Sequence, residues 1–151
     1  MKVISLWEPW ASLLKENIKK VETRSFKTNY RGEIYIHSSL KKVNLKDKNI
    51  INLVEFLRNK NFSKNQNVIN FLELISNKNF NYGNIIAKCK IIDCVYMDKK
   101  FVENMKQQNP TEFLCGDYRV GRYAWILSDI TPLENPIKAK GQLGIWNYYN
   151  S

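Results

Sequence analysis

Three charged residues within one short stretch carry the first chemical signal of this sequence. Lys19, Glu22 and Arg24 lie in "NIKKVETRSF", directly after apolar residues at helical spacing. Side chains alternate across a strand, so Glu22 and Arg24 share one face. Lys19 precedes them at the exit from the helix. An ammonium, a carboxylate and a guanidinium converging on one hollow suit two tasks. Lys19 can move a proton or hold a phosphate, and Arg24 can grip a phosphate or a base edge through its planar fork. The same spacing also suits a solvated charge run, whose ion pairs contribute little.

Aromatic residues crowd the same region. Trp7 and Trp10 flank Glu8 and Pro9 in "SLWEPWASLL". As an exposed pair the two indoles would sandwich a nucleic-acid base, with stacking worth roughly 1–3 kcal/mol per base. Trp10 also falls on the apolar stripe of a helix, where the alternative is core packing. Further along, "LCGDYRVGRYAW" interleaves Arg119 and Arg122 with Tyr118, Tyr123 and Trp125 on a loop with two glycines. Basic and aromatic residues alternating on such a loop suit single-stranded nucleic acid. The competing reading is a barrel-closing turn with a Tyr/Trp core. Arg31, in "NYRGEIYIHSS", adds one more cation to the candidate binding surface.

Other chemistries find little support. No GxSxG elbow, phosphate-binding P-loop or HExxH helix is present. A zinc site would need His37, the single histidine, with Cys89, Cys94 and Cys115, and "CKIIDC" departs from the usual ligand spacing. We therefore expect no metal and no cofactor. An odd count of three cysteines argues against a secreted disulfide framework. With no apolar run of about 18 residues and no leader-like N-terminus, the expected location is cytoplasmic and off the membrane.

The chain has 151 residues and a formal net charge of +10. That length supports one domain with its own core. The charge points toward a polyanion, although the richness in both Lys and Asn also lowers its weight as evidence.

Periodicity supplies the elements that must position these groups. "KVISL" reads as a buried strand, and Pro9 opens a helix that ends near Asn17. "KKVETRSF" and "EIYIHSS" alternate as strands. Two amphipathic helices follow within residues 44–82, as an insertion. "YGNIIAKCKIIDCVYM" predicts a long, bulged strand, and "DKKFVENMKQQN" a short helix. "GRYAWILSDITPLENPIKAKGQLGIWNYY" supplies two or three closing strands, with Gly141 and Gly144 at bends or close approaches. The expected fold is α+β: a small mixed β-barrel with a helix after the first strand and an inserted helical pair.

"SLWEPWASLL", the Lys19, Glu22, Arg24 spacing, "YRGEIYIHSS", "FLCGDYRVGRYAWIL" and "PIKAKGQLGIW" together resemble ASCH domain proteins of the PUA-like superfamily. The family pattern places a glycine two residues before the lysine, and Asn17 stands there. The resemblance implies one PUA-like domain over residues 1–151, with the helical insertion at about 44–82. It implies binding of single-stranded RNA, a nucleoside or a nucleotide. It also implies an alternative as a small hydrolase of a modified nucleoside, resembling an N4-acetylcytidine amidohydrolase, or as a ribonuclease. In the amidohydrolase members the lysine works with a threonine and a later glutamate. Here Glu22 takes the threonine position, Thr23 follows on the other face, and Glu112 is the later acid.

Overall fold

The computed structural model describes residues 1–59 and 64–149. Six strands form one sheet, curled into a half-barrel. They are β1 (Lys2–Leu6), β2 (Val21–Arg24), β3 (Gly32–Ser38), β4 (Asn84–Tyr96), β5 (Tyr123–Lys138) and β6 (Ile145–Asn147). The order across the sheet is β2-β5-β4-β3-β1-β6. Only β1 and β3 run parallel; every other pairing is antiparallel.

The curl has a local cause. β4 and β5 are long, and their register shifts at Ile85/Ala87, Lys88/Lys90 and Ile91/Asp93. Each irregularity bends the ladder and tightens its twist. The second half of β5 borders β4 alone, since β2 pairs no further than Ile126. Pro132 and Pro136, which have no N–H to donate, are tolerated along that free edge.

The concave face carries the main core. Ile4, Leu6, Ile34, Ile36, Ile91, Trp125 and Leu127 pack there against Ala11 and Leu14 of α1 (Trp10–Lys15). On its other side α1 contributes Leu13 to a second cluster with α2 (Lys48–Asn59) and α3 (Gln66–Asn77). These two helices are the pair anticipated from spacing; the connection at 60–63 lies outside the described residues. The convex side of β2 and β5 is covered by α4 (Lys99–Gln108) and α5 (Pro110–Leu114), around Val21, Met97, Tyr118 and Ala124. Among the described residues no helix is long and apolar enough to cross a membrane.

His37 ties the C-terminal segment to the sheet. Its Nε2–H donates to the Ala139 carbonyl at 2.7 Å, which leaves Nδ1 to accept from the Ser5 hydroxyl at 3.0 Å. The Trp146 indole donates to the same Ser5 Oγ at 3.1 Å. Gly141 closes over this group: a Cβ there would lie 2.9 Å from His37 Cε1 and 3.0 Å from Ser5 Oγ. Gly141→Ala should therefore destabilise the fold by about 1–3 kcal/mol, measured by urea unfolding. Wild-type stability in that variant would mean the loop simply steps aside.

The same histidine gives a pH signature. Burial lowers its proton affinity below the usual value. The unfolded chain then takes up a proton more readily than the folded one, so stability falls as pH drops below about 6.5. His37→Gln should lessen the loss of stability between roughly pH 6.5 and 5.5, with urea midpoints compared at each pH. An identical pH dependence in both proteins would exclude His37 as the cause.

Candidate functional site

The path to the site begins at the end of α1. Asn17 adopts a left-handed conformation, φ 58°. The Ile18 N–H reaches back to the Leu13 carbonyl and the Asn17 N–H to that of Leu14. This pair of bonds is a Schellman termination, in which asparagine is an accepted substitute for glycine. It turns the chain sharply, so that Lys19 points inward as β2 begins.

Lys19 is among the most deeply buried side chains, 1% exposed. Its Nζ donates to the Val21 carbonyl at 2.6 Å and to the Cys115 carbonyl at 2.8 Å. Glu22 Oε1 lies 3.4 Å away. The other Glu22 oxygen accepts from Arg24 Nε at 3.0 Å. Arg24 Nη2 then donates to the Ser5 carbonyl at 2.9 Å, and its guanidinium carbon lies 6.0 Å from the centre of the Trp125 ring. The three charges thus form one linked chain, running from the interior to a partly exposed guanidinium.

Strand register extends this face. Glu22 stands opposite Trp125, and Trp125 opposite Cys94; two residues along, Arg24 stands opposite Tyr123, and Tyr123 opposite Tyr96. Tyr96 and Tyr123 meet edge to face at 5.6 Å, and Phe26 does the same against Trp125. The Trp125 indole also donates to the Phe26 carbonyl at 3.2 Å. Phe26 and Tyr96 are exposed. The result is an aromatic rim around Arg24. Tyr96 and Phe26 escape a reading based on local spacing, because only the β4–β5–β2 pairing unites them.

The opposite face of β2 holds a second charged cluster. Thr23 Oγ1 accepts from the Asp117 N–H at 3.0 Å, and a Cβ on Gly116 would lie 2.9 Å from the Tyr118 ring and 3.1 Å from Thr23. Asp117 receives Arg119 through both Nε and Nη2, at 2.8 and 2.6 Å. Arg122 adds Nε, 3.5 Å from the same carboxylate, and its Nη2 reaches the Thr23 carbonyl at 3.4 Å. The Arg119 hydrogen bonds hold the Asp117 carboxyl below its usual range.

The remaining sequence candidates lie elsewhere. Trp7 is 56% exposed with the Lys41 ammonium 3.4 Å above its ring, whereas Trp10 is half-buried between the two large core clusters. The two indoles do not form a clamp. Arg31 donates to the Thr28 and Tyr30 carbonyls and stands 3.9 Å from Asp93. Glu8 is internal, accepting from the Ser12 N–H and from the Ser12 and Ser38 hydroxyls, and burial pushes its carboxyl up. Glu112 is buried beside the start of β2: its Oε1 accepts the Lys20 N–H at 2.6 Å. Among the described residues no group of acidic, His and Cys side chains is arranged to hold a metal.

The pattern of the ASCH domain matches residues 4–137. The chain belongs to the ASCH domain family, within the PUA-like superfamily. Among the described residues its half-barrel with five helices agrees with a PUA-like ASCH fold. A segment of the ASCH domain protein is also 49% identical over 39 residues to Activating signal cointegrator 1 of Homo sapiens. That match covers 26% of this chain and 7% of the human protein.

Proposed function

We propose that this ASCH domain binds single-stranded RNA or a nucleotide on the rim formed by Arg24 and the neighbouring aromatics, with the ligand crossing the edge strand β2 to reach the 116–122 loop on its other face. The observation that carries this reading is the immobilised guanidinium of Arg24. Glu22 holds Nε and the Ser5 carbonyl holds Nη2, while Nη1 has no partner among the described residues. One free donor on a fixed cation suits a phosphate oxygen or a base edge. Tyr96, Tyr123 and Phe26 supply ring surfaces for stacking. Each charged cluster contains two cations and one carboxylate, so each leaves an excess positive charge for phosphate.

Hydrolysis of a modified nucleoside is the weaker reading. Lys19 directs its donors to two carbonyls and a carboxylate beneath the surface, which is an anchoring arrangement. Glu112 bonds a backbone N–H of the strand start instead of facing the Arg24 rim.

The test is fluorescence anisotropy of a short labelled RNA across a salt series. Phosphate contacts from Arg24, Arg119 and Arg122 should give a log–log slope of about −2, from roughly −0.7 per contact on a single strand. No measurable binding at low salt would exclude the reading, and a flat salt dependence would remove phosphate from it.

A further inference from the structure

A hollow of about 190 Å³ lies between the inserted helices, the exit of α1 and α5, and it shares no lining residue with the Arg24 rim. Its lining combines apolar Ile18, Leu57 and Val68 with Glu16, Lys20 and Glu112. Asn65 and Asn109 also line it, but their side-chain oxygens already cap α3 and α5.

Glu112 is the exceptional member. It is only 4% exposed; Oε1 accepts from the Lys20 N–H and the Val21 N–H also acts on the carboxyl, yet Oε2 completes no hydrogen bond among the described residues. A buried carboxylate oxygen without a donor is costly, so native proteins rarely leave one unexplained. Burial accordingly pushes this carboxyl above its usual range.

We propose that this hollow binds a small organic cation, a primary ammonium on a short aliphatic body. The ammonium supplies the donor that Glu112 Oε2 lacks, and the carbon chain lies along Leu57 and Val68. Charge favours this occupant. Glu16 and Glu112 outnumber Lys20 in the lining, and the Lys19 ammonium that also acts on Glu112 is already held by two carbonyls and Glu22. An anion would meet two carboxylates, and a neutral alcohol would supply a weaker donor than an ammonium does. The site also gives the inserted helices a role, because α2 and α3 contribute the apolar side of the hollow. The proposal is independent of RNA binding at the rim.

Titration of the ¹⁵N-labelled chain with butylammonium tests it, with 1-butanol and butyrate as controls. Butylammonium should cause saturable amide shifts confined to residues 16–20, 65–68 and 109–112, and the controls should not. Glu112→Gln should weaken binding at least tenfold. Asn67→Trp, at an exposed lining position, should do the same without altering the carboxyl. A hollow that holds only water would give no saturable shift. That result overturns the proposal, as do equal shifts from 1-butanol or wild-type affinity in either folded variant.

Discussion

Lys19→Met should lower the unfolding free energy by about 3–5 kcal/mol, the range for breaking a buried ion pair from one side. Methionine keeps the volume of the aliphatic stem but carries no donor. The Val21 and Cys115 carbonyls, which the ammonium bridges, would be left unpaired, and Glu22 would keep Arg24 alone. Each orphaned buried acceptor costs about 1–3 kcal/mol. Those contributions overlap, so the ion-pair range already contains them. The bridge ties the start of β2 to the end of α5, with Lys19 and Cys115 96 positions apart in the chain. Its loss should loosen that side of the sheet and, through Glu22, free Arg24 to wander. Urea unfolding followed by tryptophan fluorescence reads the stability, with an unchanged m value marking an intact fold. A change below about 1 kcal/mol would show that this ammonium contributes no more than a surface pair does.

Much of the scaffold around Lys19 was legible locally. Helical spacing marks α2 and α3, and period-two alternation marks β2 and β3, because these patterns record which face is buried. Asn17 before the charged run signalled a left-handed helix end, and Gly141 a close approach; both follow from what one residue's backbone and side chain permit. α5 was not anticipated. At five residues it is too short for periodicity to declare itself, although Asn109 and Pro110 are a cap and first-turn pair in retrospect. The closing segment's pattern predicts two or three strands, and β5 and β6 are the two that form among the described residues, with β5 running unbroken past both prolines.

The candidate site divides in the same way. That Glu22 and Arg24 share a face follows from alternation alone. That Lys19 is buried does not, since its environment is made by the Cys115 carbonyl, far along the chain. Likewise proximity in sequence suggests a Trp7–Trp10 pair that the fold does not form. One indole ends up exposed beneath Lys41 and the other wedged between cores, because the turn at Glu8 and Pro9 separates Trp7 from the start of α1. The aromatics that do gather near Arg24 come from β4, β5 and the segment just after β2, and only register assembles them.

Arg24→Ala should weaken binding of a short single-stranded RNA at least tenfold, about 1.4 kcal/mol, in line with the loss of one charge-assisted hydrogen bond. Arg24→Lys should fail to restore it. The guanidinium satisfies Glu22 through Nε and the Ser5 carbonyl through Nη2 while Nη1 still faces outward, three directions fixed by one plane. A lysine ammonium has three donors too, but on a flexible stem and without the fork that matches a carboxylate side-on. It would engage Glu22 and leave the ligand donor unplaced. Stability provides the control, because Glu22 keeps the Lys19 ammonium in both variants and is not left as an unpaired buried charge. Both variants should therefore unfold within about 1 kcal/mol of wild type while losing affinity. If Arg24→Lys binds RNA as the native protein does, a point charge suffices at this position, and the argument from an oriented fork fails.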